Sequence, residues 1–114
     1  MAGRTHVETV AATTTIKLGE AAPGRVGRWE IQYEGQGSDD WDISFNSRSV
    51  GDGTLTATAK SFWDLVTGAM SVTQPDHGTS TVGHVLLDST GQDCEIAITV
   101  TAGSVKISAA SVEG

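Results

Sequence analysis

Hydrophobic and polar residues alternate with a period of two along much of this chain. The alternation is clearest in two runs, RWEIQYEG at 28–35 and WDISFNSR at 41–48. Such a pattern is typical of half-buried β-strands, and the short Gly-containing stretch between the runs predicts an antiparallel hairpin. The side chains predicted to face inward are Trp29, Ile31, Tyr33, Trp41, Ile43 and Phe45.

Turn residues recur every 8–12 positions and separate further strand-like segments. The segment SFWDLVTGAMSV at 61–72 fits either a bulged strand or a short turn of helix. The segment TLTATAKS at 54–61 predicts a strand with Leu55, Ala57 and Ala59 inward. Thr5–Val10 is a short segment of mixed polar and apolar residues, and Thr13–Leu18 is the first full strand predicted. The remaining predicted strands are 79–89 and a closing hairpin that turns at Ala102 and Gly103.

About eight short strands with this spacing predict an all-β fold, either a single antiparallel β-sandwich or a jelly-roll-like barrel. The length of 114 residues fits one domain. We expect residues 1–12 to form an extended N-terminal arm and residues 13–114 to form the β-sandwich domain.

The formal net charge of −7 changes which partners are plausible. Binding to a nucleic acid requires clustered Lys and Arg, and the seven scattered cations of this chain do not provide that. An anionic membrane surface is disfavoured for the same reason. The first ten residues, MAGRTHVETV, lack the apolar core of a secretory signal, so we expect synthesis and folding in a cytoplasm.

Candidate catalytic and redox groups are sparse. The single cysteine, Cys94, shares the apolar phase of Ile96 and Ile98 and is predicted to be a buried thiol. The three histidines have no spacing that suits zinc. No Gly-x-Ser-x-Gly elbow or comparable nucleophile context is present. We therefore expect neither enzymatic activity nor a bound cofactor.

The densest acidic cluster is SDDWD, at residues 38–42. Its carboxylates, Asp39, Asp40 and Asp42, could supply some of the oxygen ligands that calcium requires. The spacing matches no EF-hand loop, and a turn in which aspartates cap backbone groups is the other interpretation. We expect no metal, and keep these three residues as the candidates for one.

Trp63 has the least settled phase of the three tryptophans, because Trp29 and Trp41 fall in phase with apolar neighbours. It is therefore the aromatic residue predicted to make an exposed contact, either with a partner protein or with a sugar ring. The other predicted interface residues lie in the N-terminal arm, and they are Arg4, Thr5, His6 and Val7.

Three stretches carry a resemblance to a known group of proteins: the polar start MAGRTHVETVAATTTIKLGE, the segment TLTATAK, and the closing pair CEIAITVTA and GSVKISAASVEG. The chain resembles the small, acidic, Thr/Ala/Gly-rich β-proteins of tailed-bacteriophage virions, such as head-decoration proteins. The resemblance implies a β-sandwich or β-barrel without catalysis, present in many copies on a capsid and grouped around a symmetry axis.

The function expected from these observations is that of a structural virion protein, in particular a capsid decoration or cement subunit that stabilises the outer shell. Its partners would be the major capsid protein or other virion subunits, together with further copies of itself. Deleting the first 12 residues would then leave a folded domain that no longer assembles. The alternatives are a module that binds a carbohydrate or small ligand, and a structural component of a tail or fibre.

Overall fold

The computed structural model describes residues 4–35, 39–51, 55–75 and 82–113. Within these ranges the chain forms ten β-strands and no helix, which confirms the predicted all-β class. The strands are β1 (Thr5–Val10), β2 (Thr14–Gly19), β3 (Gly27–Gly35), β4 (Asp40–Ser49), β5 (Thr58–Ala59), β6 (Phe62–Asp64), β7 (Ala69–Ser71), β8 (Val82–Asp88), β9 (Gln92–Ala102) and β10 (Val105–Glu113).

The strands form two antiparallel sheets that pack as a sandwich. The six-stranded sheet has the order β1-β10-β3-β8-β6-β7, and the four-stranded sheet has the order β2-β9-β4-β5. Without β6 and β7, two four-stranded sheets remain, and their strand order is that of a jelly roll. The pair β6 and β7 is thus a hairpin inserted between β5 and β8, and it extends one edge of the six-stranded sheet.

The period-two alternation correctly identified which side chains enter the core. Burial follows the alternation in β3, β4, β9 and β10, so each sheet presents one apolar face to the other. Cys94 is fully buried beside Ile96 and Ile98, as expected. The largest fully buried side chains of the core are Trp41, Phe45, Ile31, Ile43, Leu87, Ile96, Ile98 and Ile107.

The predicted hairpin between the two aromatic runs is wrong. Strand β3 pairs with β10 and β8, whereas β4 pairs with β9 and β5 in the other sheet. The aromatic faces meet across the sandwich, where the rings of Tyr33 and Trp41 contact edge to face with centroids 5.8 Å apart. Crossing between sheets lets each apolar face cover the other, which side-by-side pairing would not do.

The same correction applies to the closing strands. Strand β9 lies in the four-stranded sheet and β10 in the six-stranded sheet, so they face each other and are not hydrogen-bonded as a hairpin. The link between β8 and β9 also crosses between the sheets. A short polar turn is compatible with either geometry, and the choice depends on the strands that lie on each side.

The predicted strand at 54–61 is reduced to Thr58–Ala59. These two residues pair with Ser47 and Asn46 at the end of β4. Leu55, predicted to face inward, is 45% exposed because it precedes the paired positions, and Ala59 is exposed as well. Thr54 lies outside the described residues.

The structure places the N-terminal segment differently from the predicted arm. Residues 5–10 form β1 and pair with β10 of the same chain along their whole length, from Thr5 opposite Ala110 to Val10 opposite Val105. Val10 is 2% exposed and belongs to the core. This segment is a strand of the sandwich because β10 otherwise offers an unpaired edge beside buried apolar side chains.

Candidate functional site

The inserted hairpin carries a concentration of exposed apolar side chains. Half of the ten exposed large hydrophobic residues in the described part of the chain come from the stretch 63–72, so this stretch is the main apolar surface there. Val72 is 80% exposed and Met70 is 59% exposed. The five side chains are Trp63, Leu65, Val66, Met70 and Val72.

The hairpin turn is held by one carboxylate and one glycine. The Asp64 side chain accepts hydrogen bonds from the amides of Val66 and Thr67, at 2.9 and 3.3 Å. The Gly68 amide donates to the Asp64 carbonyl at 2.8 Å, and the φ angle of Gly68 is 70°. Residues with a Cβ rarely adopt that conformation, so the glycine closes the turn. Residues 61–72 thus contain two short strands joined by a hydrogen-bonded turn, and they form neither a bulged strand nor a helix.

The base of the hairpin is fixed to the core. Phe62 is 4% exposed and packs edge to face on Phe45 of the opposite sheet, with ring centroids 5.0 Å apart. The amide of Leu65 donates to the His84 carbonyl of β8 at 2.9 Å. The exposed apolar side chains are therefore presented by a strand pair that is anchored to both sheets.

Trp63 lies at the centre of this surface, which we call the hairpin surface. In the register of the sheet it is opposite Met70 on β7 and Leu86 on β8. Val85 and Leu87 are buried, so Leu86 points to the outer face together with Trp63. The uncertain phase of Trp63 in the sequence thus corresponds to an outward position on a short strand.

A groove of about 520 Å³ borders the hairpin surface on the outer face of the six-stranded sheet. Grooves of this size are within the range that accommodates ligands or partner side chains. Its apolar lining comes from Val26, Phe62, Trp63, Met70 and Leu86, and its polar lining comes from Gly27, Arg28, Lys60, Ser61 and Asp88.

The two cations of the groove, Arg28 and Lys60, are not in ion pairs: within the described ranges, neither has a carboxylate within 4 Å. Three other cations of the chain are paired with carboxylates: Lys17 with Glu95 at 2.9 Å, Arg25 with Glu113 at 2.7 Å and Arg48 with Asp93 at 3.1 Å. The Asp88 carboxylate nearby accepts a hydrogen bond from the Thr90 amide at 3.0 Å.

The N-terminal residues predicted as an interface lie at the opposite edge of the sheet from Trp63. The guanidinium of Arg4 lies over the Trp29 ring at 5.1 Å, and its backbone exchanges hydrogen bonds with Ser111. The ring of His6 is 2.8 Å from the Glu8 carboxylate. Thr5 and Val7 are exposed, and Val7 is the one large apolar side chain among the four. The structure therefore separates the predicted interface into two distant parts.

The candidate calcium ligands do not converge on one site. Asp39 is 6% exposed and accepts a hydrogen bond from the Trp41 indole at 2.9 Å, whereas Asp42 is exposed on the outer face of β4. Asp40 is half-buried at the start of that strand. In the described part of the chain, no group of three His, Cys, Asp or Glu side chains is arranged to hold a metal ion.

Burial controls the ionisation of the thiol. It raises the pKa of Cys94 to about 12, with smaller opposing effects of nearby charges. Such a thiol is protonated at neutral pH and is a poor nucleophile. Burial also raises the pKa of Tyr33.

The expectation that the chain is not an enzyme stays a prediction. In the described ranges, no helix is long and apolar enough to cross a membrane.

Sequence reasoning missed most of the groove. Val26, Arg28, Met70 and Leu86 come from three separate segments, and only the pairing of β8 with β3 and β6 and of β6 with β7 brings them together. The one available signal was the irregular phase of Trp63, which did mark the surface correctly as exposed. No signal in the linear sequence connected it to Arg28.

Comparison with known proteins gives a structural relationship and no family. No family model matches the chain. No curated protein matches it either. Among solved structures, the fold is similar to that of the SPBc2 prophage-derived protein YomS, with a TM-score of 0.62 and 13% sequence identity. The similarity covers 99% of this chain and 96% of YomS, so the two share the fold over nearly their whole length.

Proposed function

We propose that this chain is a structural protein of a bacteriophage particle that docks on another virion protein through the hairpin surface. The observation that carries the proposal is the exposed apolar side chains of an inserted hairpin whose base is anchored in the core. Exposed apolar clusters of this kind mark protein interaction sites. The fold similarity to a prophage-derived protein supports a phage origin.

The geometry suits docking without rearrangement. Phe62 and the backbone bond from Leu65 to His84 hold the hairpin against the sheet, so little conformational entropy is lost when a partner covers it. Complete burial of a large apolar side chain contributes roughly 1.5–3 kcal/mol. Trp63, Met70 and Val72 together can therefore supply much of the affinity of a modest interface.

The specific form of the proposal is a capsid decoration or cement subunit. Many copies, each contacting the outer shell through a small apolar surface, would stabilise the shell even if each contact were weak, because multivalent attachment multiplies affinity. We expect copies to group around a symmetry axis of the shell. The partner is then the major capsid protein or another virion subunit.

The first test counts the chain in purified particles of the encoding phage by quantitative mass spectrometry. A ratio to the major shell subunit near one, or a simple fraction of it, is the result expected for a decoration protein. A few copies per particle would assign the chain to a vertex, tail or fibre. Complete absence would refute the virion proposal.

The second test asks whether the hairpin surface makes the contact. Trp63→Ala, Met70→Ser and the double variant are added to particles that lack the chain, and binding is followed by co-sedimentation. Loss of one central aromatic anchor typically costs about 2 kcal/mol or more, and we expect the double variant not to sediment with particles. Val7→Ser, which alters an exposed apolar residue at the opposite edge, is the control and should bind normally.

A second candidate function is binding of a glycan, and the exposed indole of Trp63 beside the groove favours it. Aromatic rings stack on the apolar faces of sugars, and polar groups at the rim would bind hydroxyls. A glycan array probed with the purified chain distinguishes the two functions. Saturable binding that Trp63→Ala abolishes would support the glycan function, and its absence leaves protein docking as the use of the surface.

A further inference from the structure

We propose that the groove beside the hairpin surface recognises an acidic segment of the partner protein, with one apolar side chain inserted over Trp63 and flanking carboxylates bound by Arg28 and Lys60. This inference rests on the proposed docking function and goes further by naming the chemistry of the partner. It predicts that apolar contact and charge act together at the same site.

The distribution of positive charge is the first argument. The chain carries a net charge of −7 and has seven Lys and Arg residues. Three of them neutralise carboxylates on the chain itself, and Arg4 lies on the Trp29 ring. Arg28, Lys60 and Lys106 have no carboxylate of the described chain within 4 Å, and of these three Arg28 and Lys60 line the groove that contains the exposed tryptophan.

The arrangement of the strands is the second argument. On the outer face, Trp63, Leu86 and Glu30 form one cross-strand row, in which the Glu30 carboxylate is paired with His84 at 2.6 Å. Arg28 lies opposite Asp88 in the adjacent row. Lys60 lies two residues before β6, the strand that carries Trp63. An apolar side chain that packs on Trp63 would thus have Arg28 one row away and Lys60 just before the same strand.

The chemistry of the cations matches carboxylates. A guanidinium binds a carboxylate through two parallel hydrogen bonds, and a lysine ammonium adds a point charge with three donors. Partial removal from water strengthens both interactions when the apolar part of the groove is covered. Asp88 already accepts a bond from Thr90, and it disfavours a partner whose acidic groups approach from that side.

The apolar lining favours a protein segment over a sugar. Val26, Met70 and Leu86 line the groove together with Trp63, whereas a sugar site needs several polar groups placed around the ring to bind its hydroxyls. An apolar side chain such as Phe or Leu uses the whole lining. The exposed side chains of Val66 and Val72 extend the apolar area beyond the groove, as a protein partner would require.

The test uses three synthetic peptides of equal length and the full ¹⁵N-labelled chain. The first peptide has a Phe flanked by Asp and Glu, the second has Lys in place of every acidic residue, and the third has Ser in place of Phe. We expect the first peptide alone to shift the Trp63 indole signal and the amides of Arg28 and Leu86 saturably. Raising the salt concentration should weaken this binding, since partly exposed charges are screened.

Charge-reversal variants separate the groove from general electrostatics. Arg28→Glu and Lys60→Glu should each weaken binding of the acidic Phe peptide by about tenfold, in the range expected for charge-assisted hydrogen bonds. Lys106→Glu makes the same charge change at a cation outside this groove, and it should weaken binding less than about threefold. Equal effects of all three variants would overturn the proposal.

Three further results of the peptide titrations would reject an acidic partner segment. Equal shifts by the acidic and basic peptides, no saturable shift by the acidic Phe peptide, or binding of polygalacturonate in its place would each overturn the acidic-segment proposal. The particle assay separates this failure from failure of docking itself. If the Arg28→Glu/Lys60→Glu chain still binds particles while Trp63→Ala/Met70→Ser does not, docking stands and the acidic partner is rejected.

Discussion

The two edges of the six-stranded sheet are built in opposite ways. Strand β1 forms one edge with six residues. The side chains of His6 and Glu8 occupy two of its inward-facing positions and lie 2.8 Å from each other. Strand β7 forms the other edge with three residues, Ala69–Ser71, none of which is charged. Exposed Met70 and Trp63 lie beside this second edge.

The two edges of the sheet therefore serve different purposes, the β1 edge in folding and the β7 edge in recognition. Charged side chains that point inward on an edge strand hinder pairing with another chain, so the β1 edge is protected while Val10 still completes the core. The β7 edge has no such protection and continues into the hairpin surface. The chain thus uses one edge to close its own fold and leaves the other available to a partner.

The largest expected effect comes from removing the β1 edge. Deleting residues 1–12 removes the buried Val10 and the contact of Arg4 with Trp29, and it leaves β10 paired on one side only, with β3. We expect the free energy of unfolding to fall by more than about 4 kcal/mol, measured by urea denaturation. This replaces the expectation from sequence that the truncated chain stays folded. An unchanged urea midpoint would mean that β1 is dispensable for the fold.

A smaller effect is expected where the chain leaves the inserted hairpin. The Gln74 side chain accepts a hydrogen bond from the Phe45 amide at 2.7 Å and donates one to the Lys60 carbonyl at 3.0 Å. Gln74→Ala should lower the free energy of unfolding by about 2 kcal/mol, because both backbone groups lose their partner. Gln32→Ala, at an exposed position of β3, is the control. Equal stability of the two variants would show that Gln74 does not anchor this region.

The protection of the β1 edge can be tested without removing the strand. Glu8→Val replaces an inward-pointing charge by a residue that favours strands, and we expect a change in unfolding free energy of no more than about 1 kcal/mol. The variant should self-associate in light scattering at concentrations where the original chain is monomeric. Thr9→Val changes an outward-facing position and should not. A monomeric Glu8→Val chain would remove the proposed difference between the edges.

The smallest effect on stability is expected at the open edge. Met70→Ser and Val72→Ser alter side chains that are already 59% and 80% exposed, so the free energy of unfolding should change by less than about 0.5 kcal/mol. Thermal denaturation checks this directly. A loss as large as that of Gln74→Ala would indicate that these residues serve the fold, and the distinction between the two edges would fail.

Much of the fold could be predicted because strand alternation is a local property. The inward positions of Trp29, Ile31, Trp41 and Ile43 followed from their spacing alone and are confirmed. The partners of the strands could not be predicted in the same way. A short turn permits pairing within a sheet or crossing between sheets, and distant strands decide which occurs, as they do for β3 and β4.

The candidate surface was predictable only at one residue. Trp63 was singled out because its neighbours did not settle its phase, and that irregularity reflects an inserted hairpin with a tight turn. The N-terminal residues were chosen because a polar segment resembled an arm, but their alternation was already that of a strand, with Val10 ending in the core. The groove requires Arg28 and Leu86 to be neighbours, which depends on non-local pairing.

The order of the strands also sets when this chain can fold. Strand β10 lies between β1 and β3, and β9 lies between β2 and β4, so both sheets remain divided until β9 and β10 have been synthesised. The first strand must wait for a partner more than a hundred positions later, where Thr5 meets Ala110. Chains dominated by such distant pairings fold slowly, on the order of milliseconds to seconds. During synthesis β1 and β2 are therefore without their sheet partners, and translation that stops before β9 yields a chain in which neither sheet can be completed.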